Sequence, residues 1–308
     1  MGKNACLLAL MEPLNRLEIP VDMNKDPINT FVFDLDGAMV IAVGQHEAER
    51  TERQVRDKLG DAFLERHRFD ILGYPHYLFP GYFALLRWLN ERGVSLAFFS
   101  SGVEKRNVPL VEQIMRRTFA DQPEPLPSYR VFSRHHCIDT GDLRERDEEI
   151  RKRYQPCFFG NLKKKLAGVV VPEDALDDTL LIDDDESYMV RGEEYHFVGL
   201  RYAYQYLVDY DPVDGFANFH AAFYVAGLAD ALFRLCAAEG IRLRAAARRL
   251  QYDAEGAELS DEFHFPSRYR ASYYLMGRDI LRQIEPGMDF FWPLPDPFES
   301  PFAFMPKP

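Results

Sequence analysis

The chain is short of cysteine, of net positive charge and of long apolar runs, and each shortage closes off a class of function. Its four cysteines, Cys6, Cys137, Cys157 and Cys236, are scattered without any C-x-x-C spacing. Neither a zinc site nor a disulfide framework is expected, and they read as reduced thiols of a cytoplasmic protein. A net charge of −12 works against broad binding to nucleic acid or anionic lipid, because both reward a basic surface. No nucleic-acid partner is expected, although a local basic patch stays open. No apolar run approaches the length of a bilayer span, so no transmembrane segment is expected. Residues Ala5 to Met11 are too few for a secretory apolar region and lack a small-residue cleavage site, and the Met1-Gly2 start lacks the later Ser or Thr of an acylation signal. No internal repeat occurs. What remains is an ordinary globular mixture, 47% hydrophobic and 28% charged over 308 residues, enough for one large domain or two modest ones.

What is present is organised around Asn29 to Val40, N-T-F-V-F-D-L-D-G-A-M-V. An apolar run, Phe31 to Phe33, meets two aspartates one residue apart, and a glycine then turns the backbone. That is how a buried parallel strand ends at a ligand-binding edge. Residues i and i+2 of a strand share a face, so Asp34 and Asp36 are expected to project together. Two carboxylates that close call for a cation between them, and a hard one such as Mg²⁺ answers. The pair also suits a division of labour between nucleophile and proton carrier. By itself D-x-D-G is a common string, shared with surface turns and calcium loops.

Later segments add to it. Gln45 to Phe69 is charged, with Val55, Leu59, Phe63 and Leu64 at helical spacing, and reads as one or two helices. After Phe79-Pro80-Gly81 comes a helix with Phe83, Leu85, Leu86 and Leu89 on its apolar face, closed by Gly93. Val94 to Phe99 then reads as a buried strand ending on Ser100-Ser101-Gly102, a βαβ rhythm. A helix follows from Val108 to Phe119 and a strand at Arg130 to Ser133. Asp142 to Tyr154 is almost wholly charged and reads as an exposed helix or insertion. The strand Thr179 to Ile182 runs into Asp183-Asp184-Asp185, and Phe197 to Leu200 completes the sheet. Helices are expected from Phe216 to Ala238, around Arg242 to Arg249 and from Tyr269 to Ile284, before a tail rich in proline and aromatics. The expected fold is α/β, a doubly wound Rossmann-like parallel sheet with a small cap or none. We read residues 1–240 as a core, 241–285 as a helical extension and 286–308 as the tail.

Strands ending at Asp34/Asp36, Ser100 and Asp183/Asp184 would bring two acidic pairs and a hydroxyl to one edge, with a lysine from Lys163 to Lys165. That set suits phosphoryl transfer, carboxylates holding metal while hydroxyl and ammonium steady phosphate oxygens. Order and spacing resemble the haloacid dehalogenase-like (HAD) hydrolase superfamily: D-x-D after a first strand, Ser/Thr after a second, a lysine, then an acidic pair. Within it, Gly160-Asn161-x-x-Lys164-x-Leu166 and Asp183 to Tyr188 are similar to segments of the small carboxyl-terminal-domain phosphatases. The resemblance covers roughly residues 28–238. It implies Asp34 as a nucleophile that becomes an aspartyl phosphate and Asp36 as the acid and base. It further implies phosphate binding by Ser100, Ser101 and Lys164, with Lys163 the second choice of lysine. Mg²⁺ would be held by Asp34, the Asp36 main-chain carbonyl, Asp183 and Asp184. The sequence departs from that pattern at Ala38, where the family has Thr or Val, and at Lys165, where close relatives have Asp.

Taken singly, the same residues have plainer readings. Ser100 is a helix cap, the lysine triplet a solvated face, Asp185 a cap, and the arginines between Arg242 and Arg249 a solvated helix face. His135 and His136, adjacent in a strand, would point opposite ways and share no metal. The combined reading is a Mg²⁺-dependent phosphatase. The short spacings leave room for little cover, so a phosphorylated protein or peptide is the expected substrate. A small-molecule phosphatase or nucleotidase, and a binding module on a catalytically dead HAD core, are the alternatives.

Overall fold

A computed structural model describes residues 29–122, 125–139, 162–190, 192–200, 219–251 and 271–286. Strand β1, Thr30–Phe33, forms because its run is apolar on both faces and both faces are covered; all of it is buried. Then follow β2 (Val40–Ala42), α1 (Ala48–Leu59), α2 (Asp61–His67), β3 (Arg68–Ile71), β4 (Tyr74–Leu78), α3 (Tyr82–Glu91), β5 (Ser95–Phe99), α4 (Glu104–Thr118) and β6 (Tyr129–Phe132). After them come a short ladder of β7 (Ile138–Asp139) with β8 (Leu162–Lys163), then β9 (Thr179–Asp183), β10 (Phe197–Gly199), α5 (Ala221–Glu239), α6 (Leu243–Gln251) and α7 (Ala271–Ile284). The charged stretch 142–154, Gly160, Asn161 and residues 287–308 of the tail lie outside the described residues.

The main sheet has the order β10-β9-β1-β5-β6, and every pairing in it is parallel. The chain steps from β1 to β5 to β6 on one side of β1 and returns to β9 and β10 on the other, the expected doubly wound course. Phe31 and Phe33 join a core with residues of α3, α4 and α5. Val32, Ala97, Phe99 and Leu181 face the opposite way, against Leu166, Val170, Val171 and Met189. Register decides the site: Phe33 is level with Phe98 on one neighbour and Ile182 on the other. Asp34, Ser100 and Asp183 therefore leave the sheet at the same edge.

A second, antiparallel sheet, β2-β4-β3, was not expected from the sequence. Its strands are short, and Pro75 lies in the middle one, where proline normally argues against a strand. Helix α4 also begins earlier than the sequence suggested. Val103 carbonyl accepts from the Arg106 and Asn107 N–H groups at 3.0 Å each, so the first turn closes before Pro109 is reached.

By length and composition α5 is apolar enough to cross a membrane, a test that a core helix also passes, and 61% of its apolar window is buried inside the protein. Its partner is α7. A Cβ placed on Gly277 would stand 2.8 Å from the Phe223 carbonyl carbon, and one on Gly227 would stand 2.9 Å from Gly277 N. Two backbones can approach this closely only where both helices carry glycine. Gly277→Ala gains helix propensity of about 1 kcal/mol but must push the helices apart, at a cost of about 1–3 kcal/mol or more. A lower thermal midpoint is expected; an unchanged one would contradict this crossing. The arginines of α6 and its leading turn are paired rather than merely solvated: Arg242 bonds Asp178, Arg244 bonds Asp177 at 3.2 Å, and Arg249 bonds Glu239. Asp177 and Asp178 immediately precede β9, so this helix fixes the strand that carries Asp183.

Candidate active site

Beyond Phe33 the chain turns tightly. Met39 and Val40 N–H groups both donate to Leu35 carbonyl, at 3.0 and 2.8 Å, and Gly37 N–H donates to Val40 carbonyl at 2.9 Å. Gly37 has φ +82°, and a Cβ there would stand 2.8 Å from Asp184 Cγ and closer still to its Oδ2. The turn therefore needs glycine for its dihedral and again for the Asp184 side chain that presses on it. Ala38 is fully buried, and its carbonyl accepts from the Tyr82 hydroxyl at 2.8 Å. Tyr82 thus holds the turn through the main chain at the position that departs from the family pattern.

Lys164 lies at the centre of the acidic cluster. Its Nζ donates to Asp34 Oδ1 and to Asp183 Oδ2, both at 2.6 Å, and the side chain is wholly buried. Its position is fixed by its own N–H, bonded to Tyr188 carbonyl at 2.8 Å, and by the Tyr188 ring 4.2 Å from Nζ. The buried carboxylate of Glu193 accepts from the N–H groups of Leu166 and Ala167 at 2.8 and 3.0 Å, anchoring the segment just after the lysine. Asp184 completes the group: ligand oxygens of Asp34, Asp183 and Asp184 all lie within 4.8 Å of one another.

Three carboxylates share that single ammonium. Burial pushes Asp34 well above the ordinary carboxylate range, against the pull of Lys164 and with the added push of Asp183 and Asp184. Asp183 is raised by burial in the same way. Asp184 is pushed up to about 7, by burial first and then by Asp183. For Lys164 burial acts downward, but Asp183 and Asp34 outweigh it and hold the amine protonated. A cluster of buried carboxylate oxygens with too little positive charge is the donor chemistry that a hard divalent cation such as Mg²⁺ fits.

Asp36 bonds a different set of partners. Leu35 is buried with Phe31 and Phe33, and beyond it the Asp36 carboxylate meets Arg106 and Ser100. Its Oδ1 accepts from Arg106 Nη1 at 2.6 Å, and its Oδ2 accepts from Arg106 Nη2 and, at 2.9 Å, from Ser100 Oγ. Burial acts upward on Asp36, but Arg106 and Ser100 outweigh it and hold the carboxyl below its usual range. Ser100 is fully buried, and its Oγ also accepts from Gly102 N–H at 3.0 Å. The loop that carries it is pinned from both sides, Asn107 Nδ2 and Arg134 N–H donating to Gly102 carbonyl at 3.1 and 2.9 Å.

The chain is similar to solved structures of an RNA polymerase II CTD phosphatase. One is fission yeast Fcp1 bound to beryllium fluoride, at 15% identity and TM-score 0.35, covering 56% of this chain and 41% of that one. A second Fcp1 structure gives 12% identity and TM-score 0.37, covering 85% of this chain and 64% of that one. The chain thus spans less than two thirds of either. No protein-family model and no curated protein matches it.

The remaining sequence candidates fall outside the cluster. Lys163 donates to Ser187 carbonyl. The Ser101 hydroxyl bonds the Tyr188 hydroxyl at 2.8 Å. Asp185 Oδ1 accepts from Ser187 N–H at 2.8 Å, capping a short 3₁₀ turn. His135 and His136 lie in a 3₁₀ turn and not in a strand, with ring centroids 3.9 Å apart, and His136 Nδ1 accepts from Ser133 N–H at 3.0 Å. Arg106 was missed by the reading of the sequence. Its signal, a cation in the first turn of α4 where the helix dipole favours acids, shows only once the helix is known to start at Glu104.

Proposed function

We propose that the protein is a Mg²⁺-dependent phosphatase that hydrolyses a phosphomonoester through an aspartyl-phosphate intermediate on Asp34. The observation that carries this reading is the Lys164 ammonium bonded to both Asp34 and Asp183 at 2.6 Å, at the level edge of adjacent strands, with Asp184 within the same group. The motif order supports it too. Asp34 Oδ2 attacks phosphorus and the ester oxygen departs with a proton relayed by Asp36, which first takes that proton from solvent or from the phosphomonoester monoanion because Arg106 and Ser100 keep its resting form a carboxylate. Asp36 then takes a proton from the water that attacks the aspartyl phosphate, releasing phosphate and restoring Asp34. Lys164 holds Asp34 Oδ1 throughout, which orients the attacking oxygen. Mg²⁺, held by Asp34, Asp183, Asp184 and the Asp36 carbonyl, would supply positive charge to the phosphoryl oxygens.

A phosphorylated protein or peptide is the proposed substrate class. Support comes from the small size of the β2-β4-β3 insertion and from exposed apolar side chains, Val103 after the Ser100–Gly102 loop and Leu72 and Tyr74 at the β3-β4 hairpin. Hydrolysis of p-nitrophenyl phosphate with and without Mg²⁺ tests the activity, and a panel of phosphopeptides against small phosphorylated metabolites tests the class. Activity is expected to vanish in excess chelator and to return with Mg²⁺. Asp184→Asn removes one anionic ligand and is expected to raise the Mg²⁺ concentration for half-maximal rate by about tenfold or more. Full activity in chelator would sink the metal assignment.

A further inference from the structure

We infer that Ser100 and Arg106 form a phosphate clamp that Asp36 occupies as an internal stand-in, and that Arg106 is the second cation of the substrate site. This inference rests on the phosphatase reading. The stand-in is chemical: a carboxylate offers two coplanar oxygens, and the guanidinium grips both, Nη1 on Oδ1 at 2.6 Å and Nη2 on Oδ2. A phosphoryl group offers the same pair of anionic oxygens to the same planar fork. Ser100 Oγ donates to Oδ2 at 2.9 Å and is itself set by Gly102 N–H and by Arg106 Nη2 at 3.0 and 3.1 Å.

Two features make the exchange feasible. The clamp lies behind its occupant: Ser100 is fully buried and the Arg106 side chain is 13% exposed, whereas the Asp36 side chain is 43% exposed. An anion arriving from solvent can therefore replace the carboxylate without dismantling what grips it. The loop is also shaped for the guanidinium, since a Cβ on Gly102 would stand 3.0 Å from Arg106 Cζ and closer to Nη2. Lys164 and Arg106 then divide the site. The lysine stays with Asp34 and Asp183, and the arginine passes from Asp36 to the substrate. In the same exchange Asp36 is freed next to the leaving oxygen, where the proposed mechanism needs it.

The test is a split between binding and turnover in the full chain. Losing a charge-assisted hydrogen-bond pair weakens anion binding by about tenfold or more. Arg106→Met is expected to raise both KM for p-nitrophenyl phosphate and the inhibition constant of inorganic phosphate by about that factor, and Arg106→Lys is expected to recover part of each. A residue that merely positions Asp36 gives the opposite pattern, lower kcat with an unchanged phosphate constant, and that pattern overturns the clamp. Should the natural protein show no turnover, the phosphatase reading fails, and calorimetric titration with inorganic phosphate decides the clamp separately. Binding that weakens in Arg106→Met supports it. Equal binding by both proteins, or none by the natural protein, overturns it.

Discussion

Asp34→Asn is expected to reduce aryl phosphate hydrolysis to background, a loss of about four orders of magnitude or more, because it removes the oxygen that attacks in the proposed mechanism. The fold should survive. Asparagine is nearly isosteric, its amide oxygen can still accept from Lys164, and Asp183 remains to pair that ammonium. Asp34 is held above its usual range by burial, so its charged form carries a penalty at neutral pH that the neutral side chain avoids. Unfolding temperatures of the two proteins should therefore agree within a few degrees, an order-of-magnitude expectation for a change near 1 kcal/mol. Acid-quenched natural protein should carry acid-stable, hydroxylamine-labile phosphate on the peptide containing Asp34. Retained activity in Asp34→Asn, or acyl phosphate on another carboxylate, would remove the assignment.

The sequence made the acidic cluster legible and left its other half hidden, for a physical reason. A fully buried parallel strand is a short unbroken apolar run, so the ends of β1, β5 and β9 could be read from Phe33, Phe99 and Ile182. The polar residues just beyond those ends must then meet at one edge. The alternation of faces bears on Asp34 and Asp36 as a pair, but it carries no information about the partners of Asp36, since Ser100 and Arg106 come from segments far away in the chain. Choosing Lys164 from a run of three lysines required the resemblance, since composition alone describes a solvated face. Arg106 stayed hidden because helix α4 was expected to start near Pro109, which placed the arginine in a loop. The β2-β4-β3 sheet stayed hidden because its strands are too short to show a period of two and Pro75 argues against the middle one.

Lys164→Met is expected to remove activity and to destabilise the protein at the same time, a double loss that no other substitution in the cluster should match. The lysine is the sole cation bonded to Asp34 and Asp183 among the described residues, and all three side chains are buried. Removing one partner of a buried ion pair strands the other, at about 3–5 kcal/mol, or roughly 10 °C of unfolding temperature in a domain this size. The sign of the pH dependence follows from the stranded acids. Without the ammonium, both carboxyls titrate still higher in the folded state than unfolded, so folding binds protons, and stability falls as pH rises from the unfolded range near 4 toward the folded values. Lys164→Met should accordingly lose more stability relative to the natural protein at pH 8 than at pH 5. Adding Asp183→Asn to Lys164→Met removes one stranded acid and should return part of the stability but none of the activity, because in the proposed mechanism Lys164 also orients Asp34 for attack. Thermal unfolding at the two pH values, beside p-nitrophenyl phosphate rates, checks each step. If Lys164→Met unfolds at the temperature of the natural protein at pH 8, the bridging contact is not formed in solution, and the site has to be rebuilt around another cation.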